Sequence, residues 1–246
     1  MQCNSARIEP SLSRFRQIVE TLRQEIVSGR LDAHAALPSE RALAETHRVS
    51  RMTARRALEA IEAEGLAYSQ GRRGRFVSPR RVTYDITRQV SFAADTLAAG
   101  AELDITVIGK GTKQADSRLA AALSVDIDRM LHQYTRLFRI GRHAMLIETE
   151  YVVADLCPDL LDHDLRQSTT LLLERGYGII ACSADLVIRM RATQPSEAEL
   201  LGLAPFQAGI ELEQVIRDRT GSPFCFGQQI WRGELAQFTA RAQMAP

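Results

Sequence analysis

Residues 38–77 read PSERALAETHRVSRMTARRALEAIEAEGLAYSQGRRGRFV, and the spacing within this stretch decides the fold of the N-terminal part. Pro38-Ser39 predicts the start of a short helix, with Ser39 as N-cap and Ala42 and Leu43 as its apolar contacts. Thr46 to Val49 predicts a tight turn, after which Ser50 caps a further helix. There Ala54, Ala57, Leu58 and Ile61 recur at i, i+3, i+4 and i+7, one apolar face that ends near Glu64-Gly65. Upstream, Phe15, Ile18, Val19, Leu22 and Ile26 mark one face of an earlier helix, stopped by Ser28-Gly29-Arg30. Downstream, Leu66 to Ser69 and Arg75 to Ser78 predict two short strands, joined by the basic turn Gly71-Arg72-Arg73-Gly74. Three helices followed by such a hairpin make a winged helix-turn-helix.

The charges are placed to match. Residues 1–81 hold 15 Arg and no Lys against 9 acids, a net +6, whereas residues 82–246 hold 16 basic residues against 21 acids, a net −5. A basic module joined to an acidic one predicts a polyanion partner for the first alone. Arg51, Arg55 and Arg56 fall near the N-terminal end of the third helix, off its apolar stripe. That end of a recognition helix leads into the major groove, where the planar Arg fork bonds guanine or phosphate in two contacts. Ser50 and Thr53 add hydroxyls suited to phosphate, and Arg72 and Arg73 stand in the wing turn.

These residues resemble the winged helix-turn-helix signature of the GntR transcription regulators. The resemblance implies that Arg41 of PSER, Arg51 of VSR and Arg55 contact DNA, that Ser50 and Thr53 hold phosphates, and that Gly71 lets the wing approach the duplex. Two departures stand out. His34 occupies a place where the family often has Gly, and Arg72 and Arg75 replace the Gly and Thr usual in the wing.

The rest of the chain reads as a second, α+β domain on an antiparallel sheet. Residues 10–78 are assigned to the DNA-binding domain, 79–88 to a linker around Ser78-Pro79-Arg80-Arg81, and 89–246 to the second domain. Phe92, Ala93, Thr96 and Leu97 suggest a helix stopped by Gly100, Ile105 to Ile108 a strand, and Asp116 to Leu123 a helix. Met130–Ile140 and Ala144–Val153 predict a hairpin across Gly141-Arg142-His143. Ser168 to Arg175 reads as a helix closed by Gly176, Ile179–Met190 as a long strand, and Pro195 to Leu203 as a helix. Ile210–Arg219 and Phe224–Trp231 predict a second hairpin. Arg189 and Arg191 share one face of their strand, without an assigned role.

The order of these elements resembles the UTRA effector-binding domain of the HutC branch of GntR regulators, which shares its fold with chorismate lyase. The supporting pieces are SFAADTLAAG (91–100), TRL (135–137), IETEYV (147–152), STTLLL (168–173), DRTGSPF (218–224) and WRGELAQF (231–238). Within that branch the ending FGQQIWRGELAQFTARA is most similar to phosphonate-metabolism regulators. The resemblance implies a small-molecule effector between the sheet and its flanking helices. Arg136 would hold an anionic group of it, with Glu148 across the hairpin. Ser91 and Ser168 would add hydroxyl or amide contacts, and Gln229 and Trp231 would line the last strand. Phe138 and Cys225 stand where amino-sugar regulators carry a second Arg and a Glu, which argues against an amino-sugar phosphate.

Other classes fare worse. Cys3, Cys157, Cys182 and Cys225 form no metal-ligand pair, and the five His residues no cluster, so neither metal nor cofactor is expected. No Ser-His-acid set and no glycine-rich phosphate loop supports catalysis; no catalytic residue is assigned, although the chorismate-lyase likeness leaves a lyase-like enzyme as one alternative. A constitutive dimeric DNA-binding protein without ligand is another. The polar start and the lack of a long apolar run predict a cytoplasmic protein with no membrane partner. The expectation is a homodimeric regulator, controlled by its effector, on a palindromic operator.

Overall fold

The computed structural model describes residues 13–69, 73–79, 81–87, 92–93, 103–141 and 143–241. The chain divides into two compact units, Met1–Arg80 and Arg81–Pro246.

In the first unit, α1 (Arg14–Val27), α2 (Glu40–His47) and α3 (Arg51–Ala63) bury the apolar stripes read from the sequence: Ile18, Val19 and Leu22 meet Leu43, Ala54, Ala57, Leu58 and Ile61 in one core. Each helix begins on a serine whose hydroxyl accepts an otherwise orphaned backbone N–H: Ser13 from Arg16, Ser39 from Ala42 and Ser50 from Thr53. Strands β1 (Ala67–Ser69) and β2 (Arg75–Val77) pair antiparallel as the wing, and Ala36 bridges to Phe76. His34 has a φ of 66°, which explains why glycine suits that position, and its Nδ1 lies 3.0 Å from the Tyr68 hydroxyl.

The second unit is built on β4 (Leu103–Gln114), β5 (Met130–Ile140), β6 (His143–Val153), β7 (Ser183–Ala192), β8 (Ala208–Arg217) and β9 (Pro223–Trp231). They form one antiparallel sheet in the order β4-β5-β6-β9-β8-β7. Helices α4 (Ser117–Leu123) and α6 (Pro195–Leu201) cover one face, α4 over Leu131, Val153 and Phe226, α6 beside Leu137, Ile147 and Ile230. The opposite face packs Tyr134 and Val152 with Leu172 and Leu173 of α5 (Thr169–Tyr177), and Phe138, Leu146 and Trp231 against an aromatic cluster.

Three expectations change. Residues 82–85, assigned to the linker, form β3 (Val82–Asp85), which pairs in parallel with β10 (Ala236–Thr239). Tyr84 is buried there, stacked 5.8 Å from Trp231, so packing recruits this segment into the second unit. Helix α5 runs past Gly176 to Tyr177 and closes on Gly178, whose φ is 68° and whose N–H reaches Glu174 O at 3.0 Å. The strand expected from Ile179 starts at Ser183, because Ile179 and Ala181 pack against the core beneath α5. Most of the helix expected over residues 92–100 lies outside the described residues; Phe92 and Ala93 are helical and buried.

Candidate functional sites

The starts of α2 and α3 and the second wing strand surround a concavity of about 440 Å³, lined among others by Ser39, Arg41, Arg51, Arg73 and Gly74. Arg41, Arg51 and Arg73 are all exposed. Arg41 touches Glu45 at 3.4 Å, one turn along its own helix, and Arg55 makes the same kind of pair with Glu59 at 2.9 Å. Such solvated pairs exchange readily for a phosphate. Ser50 and Thr53 are tied to each other, Oγ to Oγ1 at 2.9 Å, while Ser50 also caps α3. Arg56 leans over Phe15, 5.7 Å from the ring centre. Arg75 is a tether: half-buried, it bonds Glu62 at 2.8 Å and Glu40 at 3.1 Å, fixing the wing to α2 and α3. Gly71 and Arg72 lie outside the described residues.

The second site lies on the face of the sheet beneath α5. Period-two alternation puts Tyr134, Arg136 and Phe138 of β5 on this face, with Glu148 and Glu150 of β6 and Gln229 and Trp231 of β9; register sets Arg136 opposite Glu148, and Glu148 opposite Gln229. Arg136 is almost wholly buried. Its Nη1 donates to the carbonyls of Leu165 at 3.0 Å and Gln167 at 2.6 Å; its Nη2 donates to Glu148, to Glu150 at 3.1 Å and to Thr169 Oγ1 at 3.0 Å. The guanidinium also sits 5.3 Å from the ring centres of both Tyr134 and Phe138. Burial works against its charge, but the two carboxylates outweigh that and keep it protonated.

The carboxylates are further held by neutral donors. Gln229 Nε2 reaches Glu148 at 2.6 Å, Tyr134 Oη reaches Glu150 at 2.8 Å and Thr169 Oγ1 at 2.7 Å, and Trp231 Nε1 donates to Gln229 Oε1 at 2.8 Å. Burial pushes the Glu148 carboxyl above its ordinary range; Arg136 opposes that shift and Glu150 adds to it. Burial and the same carboxylates push the Cys225 thiol well up, so it stays protonated, 3.7 Å from Glu150.

The expectations for this site divide. Arg136, Glu148, Gln229 and Trp231 do meet in one network. Yet both Nη atoms of Arg136 already have acceptors, so the fork itself is occupied by the protein's own groups. Trp231 is core, flanked by Tyr84, Phe92 and Phe238, and Ser168 is buried with its hydroxyl 3.1 Å from that of Thr170. The cavity itself is lined by Phe92, Ala93, Arg136, Glu148, Glu150, Thr169 and Thr170 and measures about 10 Å³. Sequence reasoning did not assign Tyr134, Thr169 or Thr170 to the site, and it noted Glu150 only as a carboxylate beside Glu148 that would pair with an arginine; the alternation Tyr134-x-Arg136 and Glu148-x-Glu150 was the available signal. Ser91 lies outside the described residues. Arg189 and Arg191 find structural roles, bonding Glu211 at 2.6 and 2.7 Å, with Arg191 also bonding Glu197 at 2.7 Å. Among the described residues no group of His, Cys, Asp and Glu could hold a metal ion, and no helix is long and apolar enough to cross a membrane.

A winged helix-turn-helix with exposed arginines, joined to an α+β unit with a buried polar cavity, defines the class of two-unit, DNA-binding transcription regulators. The family models agree: the gntR family of bacterial regulatory proteins matches residues 15–77 and the UTRA domain matches residues 98–237, and the chain belongs to these GntR regulators of the HutC type. It is 28% identical over 224 residues to the HTH-type transcriptional repressor NagR of Bacillus subtilis (strain 168), covering 91% of this chain and 92% of NagR. It is also 28% identical over 193 residues to the histidine utilization repressor of Pseudomonas putida, covering 76% and 75%. The crystal structure of PhnF from Mycobacterium smegmatis shares the fold, with a TM-score of 0.64 at 22% identity over 93% of this chain and 100% of that one. The family and these relatives are transcription regulators, not enzymes.

Proposed function

We propose that the protein is a cytoplasmic, homodimeric repressor that binds a palindromic operator through Arg41, Arg51, Arg55 and Arg73 and releases it when a small molecule occupies the UTRA unit. The observation that carries the reading is the concavity rimmed by exposed Arg41, Arg51 and Arg73, brought together from two helix starts and the wing. Charged, solvent-facing and without deep ion pairs, this rim suits a phosphate backbone, while Arg51 at the first turn of α3 suits a base edge. Ser50 and Thr53 supply hydroxyls beside it, and the same reading assigns Gly71 and Arg72 to the DNA contacts. NagR and the histidine utilization repressor carry the word repressor in their names, which supports the sign of regulation.

The effector reading places the ligand at Arg136, Glu148, Glu150 and the start of α5. At about 10 Å³ the cavity holds roughly one water molecule. A metabolite therefore binds only an opened arrangement, and a ligand with that preference shifts the population between two states, as induction requires.

The test is direct. An operator is selected from random duplexes, and binding is followed by fluorescence anisotropy at fixed salt. Arg51→Ala is expected to weaken binding by about 1–3 kcal/mol with the melting temperature unchanged. Wild-type affinity in Arg41→Ala, Arg51→Ala and Arg55→Ala alike would refute the interface.

A further inference from the structure

Two buried carboxylates face one buried guanidinium. Within hydrogen-bonding reach of Glu148 and Glu150, the other donors among the described residues are the Gln229 amide, the Tyr134 hydroxyl and the Cys225 thiol, all neutral. Among the described residues, with both carboxylates ionised the site carries one uncompensated negative charge, buried from solvent, which is a costly arrangement for a protein to hold empty. Burial first, and the neighbouring Glu150 after it, displace the Glu148 carboxyl upward against the pull of Arg136.

Charge bookkeeping then constrains the ligand. A simple phosphate or carboxylate would deepen the deficit, because Arg136 is already shared between Glu148 and Glu150. A ligand nitrogen carrying positive charge would remove it. A second observation is independent of the carboxylates. The Nε–H of Arg136, buried on a side chain that lines the cavity, has no acceptor among the described residues, so a site rich in acceptors also offers one unmet donor. Thr169 and Thr170, the first residues of the nine-residue α5, stand beside it on the cavity wall, where helix amides and dipole favour an anionic group.

We propose that the effector is zwitterionic: a cationic nitrogen lodges between Glu148 and Glu150, and an acidic group takes Arg136 Nε and the start of α5. This rests on the reading of the cavity as the effector site and adds a cationic group to the anionic one expected from the sequence. Aliphatic or aromatic carbon between the two charges would lie along Phe92, on the same wall.

The experiment compares matched pairs that differ only in the cationic group, ethyl phosphate with phosphoethanolamine and butyrate with 4-guanidinobutyrate. Each is titrated against the full-length protein by thermal shift, since a ligand stabilises the state it binds. In at least one pair the cationic member should saturate at a concentration on the order of ten-fold lower than its partner. Glu150→Gln should bring that ratio to within about two-fold, by neutralising the surplus charge without changing shape. Equal binding within both pairs, or a ratio unmoved by Glu150→Gln, would overturn the charge assignment while leaving the cavity as the effector site. No saturable shift with any of the four, in wild type or variant, would overturn both. The wild-type comparison stands even where the variant fails to fold.

Discussion

The two arginine sites of this molecule solve opposite problems. In the first unit Arg41, Arg51 and Arg73 stand exposed around a concavity of about 440 Å³, and the pair that Arg41 makes is a solvated one on its own helix. In the second unit Arg136 is buried beside a cavity of about 10 Å³, both of its Nη atoms committed to carbonyls, carboxylates and a hydroxyl. An exposed guanidinium contributes little to the fold and keeps its binding capacity for a partner. A buried one is part of the structure, and whatever binds there must first compete with the protein's own groups. The same side chain is thus left free for a partner in one unit and made a latch in the other.

Removing the latch should have the largest effect. Arg136→Met leaves Glu148 and Glu150 buried without their cation and is expected to cost about 3–5 kcal/mol of stability in the second unit. Trp231, the one tryptophan of the chain, lies in that unit, and its fluorescence during urea unfolding reports the loss. A cost below about 1 kcal/mol would mean that the carboxylates accept protons instead and that the latch is dispensable. Arg73→Ala should behave in the contrary way. Its expected signature is an unchanged unfolding midpoint and a salt dependence of DNA binding shallower by about one counterion. Between these, Ser50→Ala should cost about 1 kcal/mol through loss of the α3 cap, measured by circular dichroism. It separates the capping role of Ser50 from a phosphate contact, because a cap lost without DNA affects stability and affinity together.

The same contrast explains what could be read from the chain beforehand. Helix stripes, serine caps and glycine stops are local signals, so α1, α2 and α3 and their caps follow from the spacing of Ile18, Leu22, Ala54 and Leu58 and from Ser39 and Ser50. Exposed arginines on those helices keep the placement that their sequence position implies. Strands β3 and β10 were not legible, because a parallel pair between residues so distant leaves no turn or alternation in either segment to mark it. Hairpin register made the Arg136–Glu148 pair legible, whereas Glu150, Thr169 and the carbonyls of Leu165 and Gln167 join only when α5 and the loop before it fold onto the sheet. Local pattern identified the arginine. Tertiary packing decided that it would be closed.

The smallest expected effect is a difference in sign with pH within the second unit. Glu197 and Glu211 are partly desolvated, which alone would raise them, but their bonds to Arg191 prevail and hold both below the ordinary carboxylate range. A lowered folded-state value means that their stabilisation is present above the unfolded-state value and is lost as pH falls through the folded one. Glu148 runs the other way: burial raises its carboxyl, so the folded protein takes up that proton more readily than the unfolded chain. Its contribution is full below the ordinary carboxylate value and fades as pH rises through the raised one. Moving down from neutrality, Trp231 fluorescence should therefore report a unit that first gains stability and then loses it once the ordinary carboxylate range is passed. Glu148→Gln should abolish the initial gain and leave the later loss, while Glu197→Gln should leave the gain and lessen the loss, Glu211 still contributing to it. A Glu148→Gln profile that superimposes on the wild type would show that Arg136 alone sets the state of that carboxyl, and that the charge imbalance around the latch is smaller than its geometry implies.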